Sequence, residues 1–418
     1  MLKFDWSHST IRINILMLKI VGLCTTTDQI STFSSCNLYS FFTVVVLMGG
    51  HNFFQVANIF FVYTDLEALT SNIIVASGSV LVSIKVFFFQ RNLKIFNKLV
   101  LSLNNEIFQP KNETQRGSAE FAVWFYKLVY VSSFSVFFVA SFAWLLLPIF
   151  TNGVQQKQLP FPAWYPYDST VSPFYELSYL YQCFAIFYLL TSVVHIDTLI
   201  FFFMMYIIAQ CDLLCDNLRN IRHDEHCSAN KLIIDCVKQH RAIVSSALTS
   251  NEFFDKIILG QFATSTMALA VNLFRLSLVE DLTSEALNDV FNALAIITQI
   301  FICCWFGNEV EVKCIILCAN FKKLESDKTY VNKNISECVD HHKEILRFAQ
   351  ESNKFFSTVS LGQFFISSVA IALTMFQLTL VDPFSSQGIV RIMYAAGLTT
   401  QLFIYCWFGN EVEYEVRS

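Results

Sequence analysis

The chain has 418 residues, of which 54% are hydrophobic and only 15% are charged, and its formal net charge is −5. A chain this apolar cannot cover a water-facing surface with polar groups, so an ordinary soluble protein is excluded. No basic cluster is dense enough to indicate nucleic-acid binding. The composition therefore predicts a protein that sits in lipid and has no nucleic-acid partner.

Eight apolar runs are long enough to cross a bilayer as helices, which takes roughly 20 residues for about 30 Å of hydrocarbon. In chain order the runs cover residues 37–63, 68–89, 122–150, 176–210, 253–279, 286–306, 355–381 and 388–408. They lack the alternation of apolar and polar residues that membrane β-barrels show. We therefore predict an all-α bundle of about eight spans.

The basic residues are distributed unevenly among the loops. They are concentrated between the second and third runs and between the fourth and fifth, and are sparse in the alternate loops. Because positively charged loops stay in the cytosol, this pattern predicts a cytoplasmic amino terminus. No cleavable signal peptide is visible, so the first span is expected to act as the targeting signal.

Two segments outside the spans have a distinct character. Residues 11–23 carry apolar side chains at helical spacing, which fits either a short amphipathic helix on the inner leaflet or a plain cytoplasmic lead-in. Residues 151–175 are rich in proline and aromatic residues. Proline fixes φ and removes a donor, so this segment is either an ordered non-helical lid or a loose loop.

The chain also contains an internal repeat. Residues 233–311 recur without a gap as residues 335–413, at a constant offset of 102. Each copy holds two runs, so both copies keep the same orientation in the membrane. The predicted organisation is a six-span bundle at 1–311, a cytoplasmic junction at 312–334, the second copy at 335–413 and a short tail at 414–418.

No pattern in the sequence is typical of an enzyme. A glycine-rich phosphate loop, a His-Glu-x-x-His motif and a nucleophile elbow are all missing. The 13 cysteines fall in predicted spans or cytoplasmic segments and lack the spacing and histidine partners of a zinc site. We expect no enzymatic activity, no cofactor and no bound metal.

Two ionisable residues, His195 and Asp197, lie in the middle of the fourth run, where a charge is costly unless it faces the bundle interior or water. They predict a ligand contact, a proton relay or a gating contact, or else hydrogen bonds that pack one helix on another. Lys85 and the other charged residues within the runs are interpreted as interfacial side chains near span ends.

Each copy of the repeat ends with the same eight residues, C-W-F-G-N-E-V-E. The Gly-Asn pair permits the left-handed backbone that ends a helix, so we expect the sixth span to stop there. The residues concerned are Cys304, Trp305, Phe306, Gly307, Asn308 and Glu309 in the first copy, and Cys406, Trp407, Phe408, Gly409, Asn410 and Glu411 in the second.

This string resembles the tail signature of insect odorant receptors. Three further stretches resemble the same family: L-K-I-V-G-L at 18–23, L-P-F-P-A-W-Y-P at 159–166 and L-G-Q-F at 259–262. The resemblance covers residues 1–311 in order. It implies a ligand-gated, non-selective cation channel in the plasma membrane of an olfactory neuron, with a co-receptor subunit completing a hetero-tetramer. The long cytoplasmic insertion of the co-receptor is missing, so the chain resembles a ligand-tuning subunit.

The family resemblance also implies a pocket for small hydrophobic odorants in the outer half of the bundle. For every candidate lining residue, plain packing is the alternative. The candidates lie on spans two, three, four and six: Ile73, Phe137, Ala140, Trp144, Phe184, Tyr188, Phe291 and Leu294.

The chain departs from the family after residue 311, where a second copy stands in place of a seventh, pore-lining helix. We expect a fused or truncated gene product. The alternatives are a secondary transporter built on parallel repeats, a G-protein-coupled receptor, and a fragment that conducts nothing. Transporters usually carry inverted repeats and broken helices, and neither pattern is present.

Overall fold

A computed structural model describes residues 3–6, 11–23, 35–150, 153–221, 229–278 and 284–325, together with Ile392, Ala396 and Thr399. The described part is helical and contains no strand. Its helices are α1 (Arg12–Ile20), α2 (Ser35–Phe42), π1 (Thr43–Gly49), α3 (Gly50–Val62), α4 (Leu66–Arg91), α5 (Leu93–Ser102), α6 (Glu113–Phe150), α7 (Phe174–Ile221), α8 (Ala229–Leu278) and α9 (Ser284–Glu325).

Five helical segments in the described part are long and apolar enough to cross a membrane. They are Leu38–Val62, Ser71–Arg91, Glu113–Leu146, Phe174–Arg219 and Val290–Val310. The prediction of an all-α membrane bundle is confirmed, whereas the number of spans and the side of the amino terminus stay predictions. The predicted spans 355–381 and 388–408 and the second C-W-F-G-N-E string lie outside the described residues, except for the three isolated positions.

The predicted fifth span falls on α8, which is not among these five segments. Its sequence is interrupted by polar residues such as Gln261, Ser265 and Asn272, all of which are buried against neighbouring helices. Gln261 donates to the Ser265 hydroxyl one turn away, at 2.6 Å. These three polar side chains face the bundle, and they lower the mean hydropathy of α8.

Helix α7 is the centre of the bundle. It is 48 residues long, roughly 70 Å of helix, and therefore extends well beyond the hydrocarbon. Side chains along most of its length, from Ala185 to Leu218, belong to the buried core. The other membrane helices pack around α7 and bury both its apolar and its polar side chains.

The segment that precedes the first span is packed into the protein. Helix α1 ends in a Schellman motif, in which the Leu23 amide donates to the Leu18 carbonyl at 2.8 Å and Gly22 takes a φ of +79°. Leu18 and Leu23 are both buried. Residues 12–20 therefore form a helix that packs against the bundle, and its position on the inner leaflet stays a prediction.

The first span contains a seven-residue π-helix, π1, between two α-helical parts. A π-helical segment widens the turn and leaves carbonyl groups available to other donors. Tyr181 on α7 uses this opening, because its hydroxyl donates to the Val46 carbonyl at 2.7 Å. Gly50 follows directly, and a Cβ there would lie 2.6 Å from that same hydroxyl. A side chain at position 50 would therefore have to displace the Tyr181 hydroxyl.

The expectation that a helix ends at the C-W-F-G-N-E string is wrong, although the apolar segment itself ends close by, at Val310. Helix α9 continues through Gly307 and Asn308 as far as Glu325. Neighbouring side chains hold this extension, since Phe306 stacks on Phe201 at 5.7 Å and Lys313 pairs with Asp212 at 2.8 Å. Contacts with α7 outweigh the weak helix-ending tendency of glycine and asparagine.

Candidate ligand-binding site

The proline-rich segment forms an ordered cap on one end of the bundle, called here the cap end. Gln182 on α7 accepts from the Phe161 amide at 3.0 Å and donates to the Phe161 carbonyl at 2.9 Å. The Trp164 amide donates to the Phe54 carbonyl at 3.0 Å. These bonds satisfy backbone groups that proline-rich sequence cannot satisfy by itself. Of the two interpretations of this segment, the ordered lid is the one found.

The cap carries aromatic rings that pack on the ends of three helices. Phe161 stacks on Trp144 of α6, with ring centroids 5.5 Å apart and planes within 12°. Trp164 stacks on Phe61 of α3 at 5.1 Å. Burial raises the pKa of the Tyr165 phenol to about 12, against the lowering effect of its hydrogen bond from Gln182. The cap therefore presents an apolar, uncharged surface to the interior.

Next to this aromatic layer lies a group of buried polar side chains. His51 and Gln55 are one turn apart on α3, Asn72 lies on α4, and all three are 0% exposed. The His51 ring makes an edge contact with Phe161 at 6.4 Å. The Asn72 amide donates to the Gln55 carbonyl of the backbone at 3.1 Å. The three residues thus lie where α3 packs on α4, and His51 also touches the cap.

Most hydrogen-bonding atoms of this group have no partner among the described residues. They are both ring nitrogens of His51, both amide atoms of the Gln55 side chain, and the side-chain oxygen of Asn72. A buried polar group without a hydrogen bond costs about 1–3 kcal/mol. Several such atoms in one place are uncommon in a folded protein and indicate a site that receives another polar group.

The predicted pocket residues lie in different environments. Trp144 lies against the cap, Tyr188 is 2% exposed within the main core, and Ile73 and Phe137 are partly buried. Ala140 is exposed, and the side chains of Phe184, Phe291 and Leu294 are more than half exposed on the single chain. The structure therefore brings Trp144 to the cap, whereas Phe184, Phe291 and Leu294 lie on exposed faces of the single chain.

His195 belongs to a buried hydrogen-bonded network that joins α1 to α6 and α7. Its Nδ1 lies 3.2 Å from the Asn14 side-chain oxygen. The Asn14 amide donates to the Tyr126 hydroxyl at 2.9 Å and to the Thr198 hydroxyl at 3.0 Å. Asn14 is 0% exposed, so the network fixes α1 to two long helices away from solvent.

Asp197 takes part in a second buried group, and its partner corrects one expectation. Lys85 does not extend to an interface: its side chain is 0% exposed, and its Nζ lies 2.6 Å from Asp197 Oδ1. The Gln299 amide of α9 donates to the other carboxylate oxygen. A charge within a membrane span needs such a partner, because lipid cannot solvate it. This group links α4, α7 and α9.

The sequence interpretation passed over several of these residues. His51, Gln55 and Asn72 are single polar residues within long apolar runs, and Gln182 follows the cap. The i, i+4 spacing of His51 and Gln55 was the available signal, since it places both on one helix face. The partner of Lys85 could not be predicted, because nothing in the sequence pairs position 85 with position 197.

Comparisons with known proteins fit this architecture. A family model described as 7tm odorant receptor matches residues 65–320 and 311–418. The structure resembles that of the olfactory receptor OR5 from Machilis hrabei in complex with eugenol, with a TM-score of 0.68 and 17% identity over 89% of this chain and 98% of that chain.

Two relatives are similar in sequence. Odorant receptor Or1 of Anopheles gambiae is 22% identical over 276 residues, which cover 59% of this chain and 65% of the relative. Odorant receptor 46a, isoform A, of Drosophila melanogaster is 24% identical over 182 residues, which cover 43% of this chain and 47% of the relative. The matched region thus spans less than two thirds of either relative.

Because the family match covers more than half of its length, the chain belongs to the 7tm odorant receptor family. This is a family of membrane receptors rather than enzymes. The predicted resemblance is confirmed at that level.

Proposed function

We propose that this chain is a ligand-tuning odorant receptor subunit in the plasma membrane of an olfactory neuron. It binds a small hydrophobic volatile near the cap end and gates a non-selective cation channel together with a co-receptor subunit. The cap end is the outer end, as the distribution of basic residues predicts.

The packing of Trp144 against Phe161 of the cap is the observation that supports this proposal most directly. A large ring of an ordered loop stacked on a helix tryptophan offers an apolar surface for a volatile. A ligand that inserts beside this pair alters contacts among the cap, α6 and α7 at once. Among the eight candidates we therefore assign the main contact to Trp144, with Ile73, Phe137 and Tyr188 as secondary contacts.

We further propose that gating uses the two buried polar groups. The Lys85–Asp197 pair with Gln299 links three helices, and the Asn14–His195 pair links α1 to α7. When α7 moves at the cap end, the hydrogen bonds of both groups have to rearrange, because each group has a fixed hydrogen-bond geometry. His195 and Asp197 thereby stabilise one arrangement of the helices.

The test is a recording from cells that express this chain with an insect co-receptor subunit, during application of a panel of volatiles. Trp144→Leu is expected to raise the EC50 of an active odorant more than tenfold. Trp124→Leu is the matched control, because Trp124 lies on the same helix and its side chain is 56% exposed. No odorant-evoked current from the unmodified chain, despite surface expression, would refute the proposal.

A further inference from the structure

The three polar side chains of the cap end, His51, Gln55 and Asn72, form a compact set that we call the polar triad. Two of them come from consecutive turns of α3 and the third from α4. All are fully buried, and one hydrogen bond within the set runs from the Asn72 amide to the Gln55 backbone carbonyl. The five side-chain atoms that lack a partner among the described residues leave the triad open to a further group.

The polar triad contacts the same ring, Phe161, that stacks on the aromatic residue assigned above. Phe161 stacks on Trp144 at 5.5 Å, while its contact with His51 is an edge contact at 6.4 Å. The two hydrogen bonds with Gln182 hold the Phe161 backbone in place. The Phe161 ring thus contacts both Trp144 on α6 and His51 of the polar triad on α3.

The chemistry of the triad limits what it can bind. An imidazole ring and a primary amide each combine donor and acceptor capacity, and the Asn72 oxygen adds an acceptor. None of the three provides a carboxylate or a permanently charged group. A neutral hydroxyl or carbonyl compound fits this set, because it can exchange hydrogen bonds without a counter-ion. A pure hydrocarbon leaves every open atom of the triad unsatisfied.

From this arrangement we propose that the polar triad binds the oxygen atom of an oxygenated volatile, a small alcohol or ketone, whose apolar part packs on Phe161. The inference rests on the proposed function and narrows its ligand class. It assigns to α3 and α4 a role in selecting between oxygenated compounds and hydrocarbons of equal size. Selection of this kind is effective because a site built to hydrogen-bond a ligand discriminates strongly against an analogue that lacks the polar group.

The experiment compares 1-octanol with n-octane on the full chain expressed with a co-receptor subunit, with current as the readout. The variants are Gln55→Met and Asn72→Leu, which keep approximate side-chain volume and remove hydrogen-bonding atoms. Each is expected to raise the EC50 for 1-octanol at least tenfold and to change the response to n-octane less than twofold. The control is Gln90→Met on α4, since the Gln90 amide already has a partner in the Ser40 hydroxyl at 3.4 Å.

A second measurement on the purified full chain separates binding from folding. If the open atoms of the triad serve a ligand, Gln55→Met leaves the thermal midpoint of the unliganded protein unchanged or raises it. A lower thermal midpoint, together with equal losses of the responses to 1-octanol and n-octane, would show that the triad only holds α3 and α4 together. Unchanged EC50 values for 1-octanol would show that buried water alone satisfies these atoms. Either result overturns the inference.

The failure of this inference can be told apart from failure of the proposed function. If the unmodified chain responds to n-octane as well as to 1-octanol, the triad does not select oxygen, yet the receptor proposal stands. If no volatile in the panel produces current, the receptor proposal itself fails.

Discussion

Lys85 on α4 and Asp197 on α7 form an ion pair at 2.6 Å in which the side chains are 0% and 9% exposed. The Gln299 amide completes the group from α9. Three helices that are far apart in the sequence therefore share one buried carboxylate. Removing one partner of such a group costs more than removing both, because the remaining charge is left unpaired.

The first prediction concerns this asymmetry. Lys85→Met should lower the stability of the folded chain by about 3–5 kcal/mol, as expected for a buried carboxylate that loses its partner. Fluorescence-detected size-exclusion chromatography after heating would report the change as a lower midpoint. The double variant Lys85→Met with Asp197→Leu should recover most of the loss. A double variant no more stable than the single one would contradict this account.

The internal repeat supplies a matched test for Gln299, whose equivalent at the offset of 102 is Gln401. Gln299→Leu removes the bond to Asp197 and is expected to lower the thermal midpoint. Gln401→Leu, the same change at the equivalent position, is expected to have the smaller effect. If the two variants lowered the thermal midpoint equally, the second copy would contribute to this group as much as the first.

Gly22 is predicted to tolerate no side chain. Its φ of +79° disfavours other residues, and a Cβ there would lie 3.0 Å from the Ser40 Cα. Gly22→Ala should destabilise the chain by about 1–2 kcal/mol from the backbone strain alone. The surface yield of a tagged chain is a suitable measurement. Gly117→Ala is the control, because a Cβ at that position meets nothing within 4 Å.

Asn14 is predicted to hold α1 on the bundle. Asn14→Leu removes the partner of His195, Tyr126 and Thr198 together, at a cost of about 1–3 kcal/mol for the buried groups left unsatisfied. Hydrogen exchange measured by mass spectrometry should then increase in residues 11–23. Ile13→Ala is the control, because the Ile13 side chain is 53% exposed. Unchanged exchange in Asn14→Leu would show that apolar contacts alone keep α1 in place.

Gln182 is predicted to hold the cap closed. Gln182→Leu leaves the Phe161 amide and carbonyl without their partner, so residues 153–173 should become more accessible to protease. Limited proteolysis of the purified chain, followed by mass spectrometry of the fragments, measures this directly. Gln156→Leu serves as control within the cap, since Gln156 interacts with Gln158 in an exposed part of it. Identical cleavage patterns would contradict the assignment.

The architecture was largely predictable, whereas the contacts of the buried polar residues were not. Long apolar runs identify membrane helices because lipid imposes one simple requirement on length and polarity. Lys85 illustrates the limit: its position in a run indicated an interfacial side chain, and only the tertiary arrangement provides Asp197 as its partner. The end of α9 illustrates another limit, because packing against α7 carried the helix through a Gly-Asn pair.

The pocket candidates stay a prediction, but the exposure of their side chains on the single chain could not be derived from the sequence. Residues such as Phe184 and Phe291 are aromatic and lie within the predicted spans, but the direction of a side chain around a helix axis depends on its neighbours. His51 and Gln55 were inconspicuous because a single polar residue in an apolar run often packs against another helix. Their lack of hydrogen-bond partners within the described part of the chain becomes visible only when the surrounding atoms are known.

The seven-residue π1 segment determines how α3, which follows it in the first span, is rotated about its helix axis. Removing one residue from π1 would restore ordinary helical winding and turn α3 by roughly 100° about its axis. His51 and Gln55 would then point away from α4, although their order along the chain and the length of the span would hardly differ. The orientation of His51 and Gln55, and with it the selection of oxygenated volatiles proposed above, thus depends on the winding of π1.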